Sequence, residues 1–348
     1  MCKLSHPSHA TRPPSGYTFV ELLVAMTLAL IILGLAFDVF NQLNDASDLA
    51  GSMADVNENL RASVNLVARD LSEAGAQIPL GGIPLPGGNA ATLINRPGPG
   101  ATTFPNTGYL SIITPGTGLG PTIGGYPTDA VTIISVNPTS QLNAFPLIAI
   151  SSDNSHATIT VDPRTNIAAG ASQVLPGQLI MLENATTCLL AVTAVDPATN
   201  IITFTNGAAP DVLGLNQFPP NATTGTIAQL PPVAASTTAY QLNMITYYIY
   251  VNAPNPPQLM RLLGTNANGN QAQAVALGVN LLQFSYSLSP PATPTDPTNV
   301  VGNPNQIRKV NLWVNSQANH PNRRTGQYYS NSIKTSVVVQ NLAFFNKY

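Results

Sequence analysis

Glu21 is the only charged residue between Tyr17 and Phe37, in the run YTFVELLVAMTLALIILGLAF. A carboxylate near the start of so apolar a segment is costly to desolvate, so it either reaches lipid headgroups or needs a partner. Elsewhere the usual catalytic constellations are missing from the sequence. It has no Walker-type loop, no G-x-S-x-G elbow and no H-E-x-x-H helix. Gly116-Thr117-Gly118-Leu119-Gly120 is rich in glycine, but Pro121 and no helix follow, so it reads as a turn rather than a phosphate cradle.

Metal chemistry is equally thin. His156 and His320 have no Cys, His or carboxylate neighbours at metal-ligand spacing, and structural or solvated histidine is the expected reading for both. Asp153, Asp162, Glu183 and Asp211 could meet around calcium only if the fold assembled them, since no Asp-rich loop of the EF-hand kind is present. No metal and no cofactor is expected. The two cysteines, Cys2 and Cys188, are too few and too far apart for a disulfide framework. Arg323, Arg324, Tyr328 and Tyr329 combine cations with aromatic faces, a possible surface for single-stranded nucleic acid or anionic glycans. The cluster is short, so a hairpin with solvated arginines is the favoured reading.

Composition bounds the remaining choices. Charged residues make up 8% of the 348, against about 25% in ordinary soluble domains, and the formal net charge is −2. Electrostatic capture of nucleic acid by the whole molecule is therefore not expected. The charges are unevenly spread. Asp and Glu dominate from Asp38 to Glu73, whereas no acidic residue follows Asp296 and Arg308, Lys309, Arg323, Arg324, Lys334 and Lys347 are all basic. That gives the C-terminal segment a local positive field.

The elements that must position these residues begin with the apolar run. As a helix at 1.5 Å per residue, Tyr17–Phe37 spans about 32 Å, enough for a hydrocarbon core of roughly 30 Å. No A-x-A pattern follows it, so it does not read as a secretory signal peptide. Lys3 and Arg12 precede the run and Asp38, Asp45 and Asp48 follow it, which predicts a cytoplasmic N-terminus and an exported remainder. Beyond it Leu43, Ala46, Leu49, Met53, Val56, Leu60, Val64, Val67 and Leu71 recur at threes and fours. This predicts an amphipathic helix with Asp45, Asp48, Asp55, Glu58, Arg61, Arg69 and Asp70 on its opposite face. Gly75 and Pro79 provide the stop. If continuous from Tyr17 the helix reaches about 88 Å, with its apolar stripe covered by a sheet.

Residues 76–108 are crowded with Gly, Pro, Asn and Thr and read as an extended loop. From residue 109 to 348, short β-branched and aromatic runs alternate with turn signals such as Asp196-Pro197 and Asn206-Gly207, predicting an exported, mostly antiparallel β head. Residues 174–205 suggest a small β lobe of their own. The expected fold class is thus α+β, with one long N-terminal helix packed on a β-rich head.

The string Ser15-Gly16-Tyr17-Thr18-Phe19-Val20-Glu21 followed by the apolar run resembles the prepilin cleavage and methylation motif of the type IV pilin superfamily. In that motif a Gly ends the leader, an aromatic residue opens the mature chain, and Glu is its fifth residue. The resemblance implies that prepilin peptidase cuts after Gly16, removing residues 1–16 with His6 and His9, and methylates the new amine of Tyr17. It also implies that Glu21 pairs with the terminal amine of a neighbouring subunit. Tyr17 replaces the usual Phe, and the leader is longer and richer in Pro and His than many.

The segments NLRASVNLVARDLSEAGA, ITYYIY, LMRLLG, VNLLQFSYSL and IKTSVVVQNL are similar to PilW/PulJ-type minor pilins. The resemblance implies a non-enzymatic structural subunit that helps initiate or cap a type IV pilus. Its expected partners are other minor and major pilins or pseudopilins and an inner-membrane assembly platform. Its expected place is the inner membrane, as a single-pass protein with a periplasmic head, and then the filament. A minor pseudopilin of type II secretion and a membrane-anchored adhesin that never polymerises are the alternatives.

Overall fold

The computed structural model describes residues 16, 18–79, 81–84, 95–96, 102–103, 109–153, 155–185, 187–207, 209, 211, 214–216, 233–264, 272–289, 297–299 and 301–343. Tyr17, the residues before Gly16 and most of the Gly/Pro-rich stretch 76–108 lie outside these.

The chain opens with α1 (Phe19–Glu73), 55 residues without a break, or about 82 Å at 1.5 Å per residue. Gly34 and Gly51 lie within it and leave it helical. It stops where Gly75 takes a φ of +74°, and a Cβ there would come within 2.7 Å of Ile112, so glycine is required both for backbone sign and for space. The Gly75 N–H donates to the Ile134 carbonyl at 2.8 Å, which turns the chain directly onto the sheet.

The head is built from antiparallel strands. Its main sheet has seven: β1 (Ile113–Gly116), β2 (Ala130–Val136), β5 (Leu179–Glu183), β6 (Thr187–Ala191), β9 (Thr238–Tyr250), β10 (Gln258–Leu263) and β11 (Gln273–Leu277). The hub is β9, thirteen residues long, which pairs with β2, β5 and β10. A second sheet of four strands comprises β3 (Ala149–Ser152), β4 (His156–Thr160), β7 (Ala194–Asp196) and β8 (Ile201–Thr205), in the order β7-β8-β4-β3. A third sheet is the meander of β12 (Val279–Leu288), β13 (Ile307–Gln317) and β14 (Ser330–Val338). The observed architecture is α+β, one long N-terminal helix on an antiparallel β head.

Two cores result. One joins the second half of α1 to the main sheet and the meander through Val56, Leu60, Val67, Tyr247, Phe284 and Leu312. The other lies between the main and second sheets, around Ile159, Cys188, Ile202 and Phe204. In β5 and β6 successive residues serve different cores: Leu179, Met181, Leu189 and Ala191 the first, Ile180, Leu182, Cys188 and Leu190 the second. A strand buried on both faces reads as a continuous apolar run, because neighbouring side chains point to opposite sides.

Three expectations change in detail. The apolar run from Leu189 to Val195 serves two strands: the chain leaves the main sheet after Ala191 and enters the second at Ala194. The stretch 174–205 therefore divides between two sheets, and the second sheet also draws in residues 149–160. On α1, Leu43 and Met53 are exposed and coverage by the head begins only at Val56. Asp70, assigned to the solvent face, is buried at 7% exposure.

Asp70 is buried because it is held. Its Oδ2 accepts the Tyr247 hydroxyl at 2.6 Å and Arg261 Nε at 2.8 Å, linking α1 to β9 and β10. Burial first, then the adjacent carboxylate, raises the pKa of the Tyr247 phenol. On Arg261, burial opposes the charge most strongly, but the bond and attraction to Asp70 together with the contact to Tyr247 outweigh it, and the guanidinium is held more firmly protonated than usual. A buried carboxylate with two charge-assisted or phenolic donors is a specific docking point, since neither side tolerates loss of the other.

Candidate functional site

The N-terminal end of α1 is organised by its own residues. Thr18 has extended backbone (φ −75°, ψ 150°) and caps the helix. Its Oγ1 accepts the Glu21 N–H at 3.2 Å, and Glu21 Oε2 accepts both the Thr18 N–H and the Thr18 hydroxyl at 3.0 Å. This reciprocal capping box satisfies orphan donors of the first turn and places a negative charge at the positive end of the helix dipole. Glu21 thus has a partner within the chain, and Thr18 is the residue that sequence reading passed over. The T-x-x-E spacing of Thr18 and Glu21 was its signal.

Gly16 is exposed, and an added Cβ there would meet nothing within 4 Å. Among the described residues, space does not demand glycine at this position. Tyr17, the expected methylation site, lies outside the described residues.

Behind this end, none of residues 19–55 is buried, and Phe19, Leu30, Ile32, Leu35 and Phe37 are each at least 60% exposed. Among the described residues α1 is the one helix long and apolar enough to cross a membrane. A core helix of a soluble protein would be covered by its own fold; among the described residues nothing covers this half. The free part of α1, 37 residues from Phe19 to Asp55, is about 55 Å long, some 25 Å more than a hydrocarbon core requires.

Of the C-terminal cluster, Arg323 and Tyr329 line one cavity that faces α1. Arg323, Arg324 and Tyr328 lie in the turn joining β13 to β14, closed by Asn322 N–H to the Gln327 carbonyl and Gly326 N–H to the Asn322 carbonyl, both 2.8 Å. Arg323 faces Asp48 of α1 at 3.8 Å with both side chains largely exposed. Tyr329 packs against the main core, whereas Tyr328 is exposed. Between this turn and α1 lies a cavity of about 670 Å³ lined by Asp45, Asp48, Asp55, His320 and Arg323.

The other candidate chemistry is accounted for locally. His156 is not without a neighbour: its Nδ1 lies 3.0 Å from Asp153 Oδ2 and from the Ser155 hydroxyl. The backbone N–H groups of Ser155 and then His156 hold the Asp153 carboxyl down to about 2. Asp162 is held at about 2 by the bidentate guanidinium of Arg164. Asp211 accepts the N–H groups of Leu215 and Asn216. Among the described residues no three of His, Cys, Asp and Glu are grouped as metal ligands. Cys188 is buried in the second core, and burial pushes its thiol up to about 12, which makes it a poor nucleophile at neutral pH. The glycine-rich turn is filled from inside: Asp129 Oδ1 accepts the Gly118 N–H at 2.7 Å, and its Oδ2 accepts the Phe284 N–H at 2.8 Å. A phosphate would compete with that carboxylate.

Residues 12–37 match the family model described as the prokaryotic N-terminal methylation motif. No curated protein and no solved structure matches the chain.

Proposed function

Because this chain carries the prepilin-type N-terminal motif of the type IV pilin superfamily on a membrane-capable helix, we propose that it is a minor pilin, a structural subunit that helps initiate or cap a type IV pilus. The motif implies processing by prepilin peptidase and association with a membrane. The observation that carries the reading is the division of α1 into an uncovered apolar half that starts at the motif and a second half buried in the head. An uncovered helix of this length needs lipid before assembly and neighbouring helices after it.

The PilW/PulJ-like segments and the large β head support a minor subunit rather than a closely repeated shaft subunit. The assembly partners are other pilins and an inner-membrane platform, the head is periplasmic before assembly, and the role is non-enzymatic. Within this reading the Thr18–Glu21 capping box holds the carboxylate at the helix start, where a neighbour's terminal amine would meet it.

The test is mass analysis of the N-terminus of protein isolated from a host with the cognate prepilin peptidase. A chain beginning with N-methylated Tyr17 is expected, and an intact Met1 leader would leave a membrane-anchored binding module instead. In the same host, Glu21→Ala is expected to insert into the membrane and be cleaved normally while failing to co-assemble. Filaments of normal number from that variant would rule out the role given to Glu21.

A further inference from the structure

The outward face of the C-terminal meander is unlike the rest of the head. Its residues form short cross-strand rows: Gln283 beside Trp313 beside Lys334, and Ser285 beside Asn311 beside Ser336. The opposite face of the same strands carries Phe284, Leu312 and Val314, which fill the main core. The rows line one side of a cavity of about 650 Å³, closed on the other side by Thr117, Gly118 and Asn299. Thr117 Oγ1 donates to the Asn299 carbonyl at 2.5 Å, fixing that wall.

The chemistry presented there is specific in kind. Trp313 is the only tryptophan in the chain. Its indole Nε1 is buried and has no hydrogen-bond partner among the described residues. Lys334 Nζ rests 4.0 Å from the ring centroid, and the ammonium has no carboxylate partner among the described residues. The Gln283 amide and Ser285 hydroxyl also make no hydrogen bond within the described structure, while Ser336 Oγ donates to Asn311 Oδ1 at 2.7 Å. Among the described residues the one carboxylate of the lining, Asp129, is buried and already accepts two backbone N–H groups. The Nε1 atom is itself shielded from the cavity, so the groups the cavity presents to a ligand are the Gln283 amide, the Ser285 hydroxyl and the Lys334 ammonium.

We propose that this cavity is a saccharide-binding site, taking a short stretch of a polysaccharide that bears carboxylate groups. Sugar hydroxyls both donate and accept, and amide and hydroxyl side chains match them in both roles. Lys334, seated over the Trp313 ring, supplies the cation for a uronic acid carboxylate. Nucleic acid fits less well, because tracking a phosphate backbone takes several cations in series and this cavity offers one. The assignment does not depend on filament assembly, since the site lies wholly within the head.

The lone tryptophan makes its own assay. Intrinsic Trp fluorescence of the full chain in detergent reports this site alone, with trigalacturonate, maltotriose and a short single-stranded oligonucleotide as probes. A saturable change with trigalacturonate is expected, weakened about ten-fold in Lys334→Gln, where a charge-assisted contact is lost. Gln283→Ala should weaken both saccharides. Lys334 is exposed, so that variant is expected to fold, and circular dichroism checks it. Absence of a saturable response to either sugar overturns the site. Equal midpoints for trigalacturonate in wild type and Lys334→Gln overturn selection by the lysine. A response to the oligonucleotide alone, steeply salt-dependent, replaces the saccharide with nucleic acid.

Discussion

The two parts of α1 share one backbone and opposite fates. From Phe19 to Asp55 no side chain is buried, although this part contains the most apolar run in the protein; from Val56 to Glu73 seven are buried, including Ser63 and Asp70. Burial inside the chain therefore does not follow hydrophobicity along this helix. The second half is covered because its stripe meets β11, β13 and β14 and because Asp70 finds Tyr247 and Arg261. The first half keeps its apolar surface uncovered by any of the described residues. Between them, residues 38–55 carry Leu43 and Met53 exposed beside Asp45, Asp48 and Asp55, so neither bilayer nor head claims them outright.

The contrast can be broken by mutation. The largest effect is expected at the docking point: Asp70→Ala should cost about 3–5 kcal/mol of head stability, because it strands a partly buried guanidinium. Thermal unfolding in detergent followed by circular dichroism measures this, and a change below about 1 kcal/mol would mean that α1 is held by its apolar stripe alone. Next, Leu60→Ala should cost about 2–4 kcal/mol, since Leu60 is fully buried, while Leu30→Ala should stay within about 0.5 kcal/mol of wild type in the same assay. Equal costs at the two positions would erase the distinction between the halves. The smallest effect belongs to the exposed Arg323–Asp48 contact. Arg323→Ala should change stability by at most about 0.5 kcal/mol, and any effect should vanish at high salt. A larger, salt-resistant loss would show that the β13–β14 turn braces residues 45–55 of the helix.

Some of this was legible because it is local. The apolar run, the heptad-like stripe and the Gly75 stop specify a helix within about four residues of one another, and α1 follows. Strand positions such as Ala130–Val136 show in the same way, as β-branched runs between turn residues. The T-x-x-E capping box was equally local and equally readable. What was missed depends on partners distant in sequence. Asp70 looked like a solvent-face residue because its helical phase is polar, and only Tyr247 and Arg261, 177 and 191 residues away, make its burial favourable. The break between Ala191 and Ala194 was invisible because apolar residues serve either sheet equally well.

By itself the sequence determined an N-terminal segment with the prepilin-type motif, a helix long enough to span a membrane and continue beyond it, and an antiparallel β head. Each is a matter of residue type and short-range period. The tertiary structure alone decided where the helix enters the head, which strands carry two cores, that the Arg–Tyr cluster divides between turn and core, and that Trp313, Lys334 and Gln283 share one face. Those outcomes rest on registers between strands far apart in the chain, and a shift of one residue in any of them would send every side chain to the opposite face.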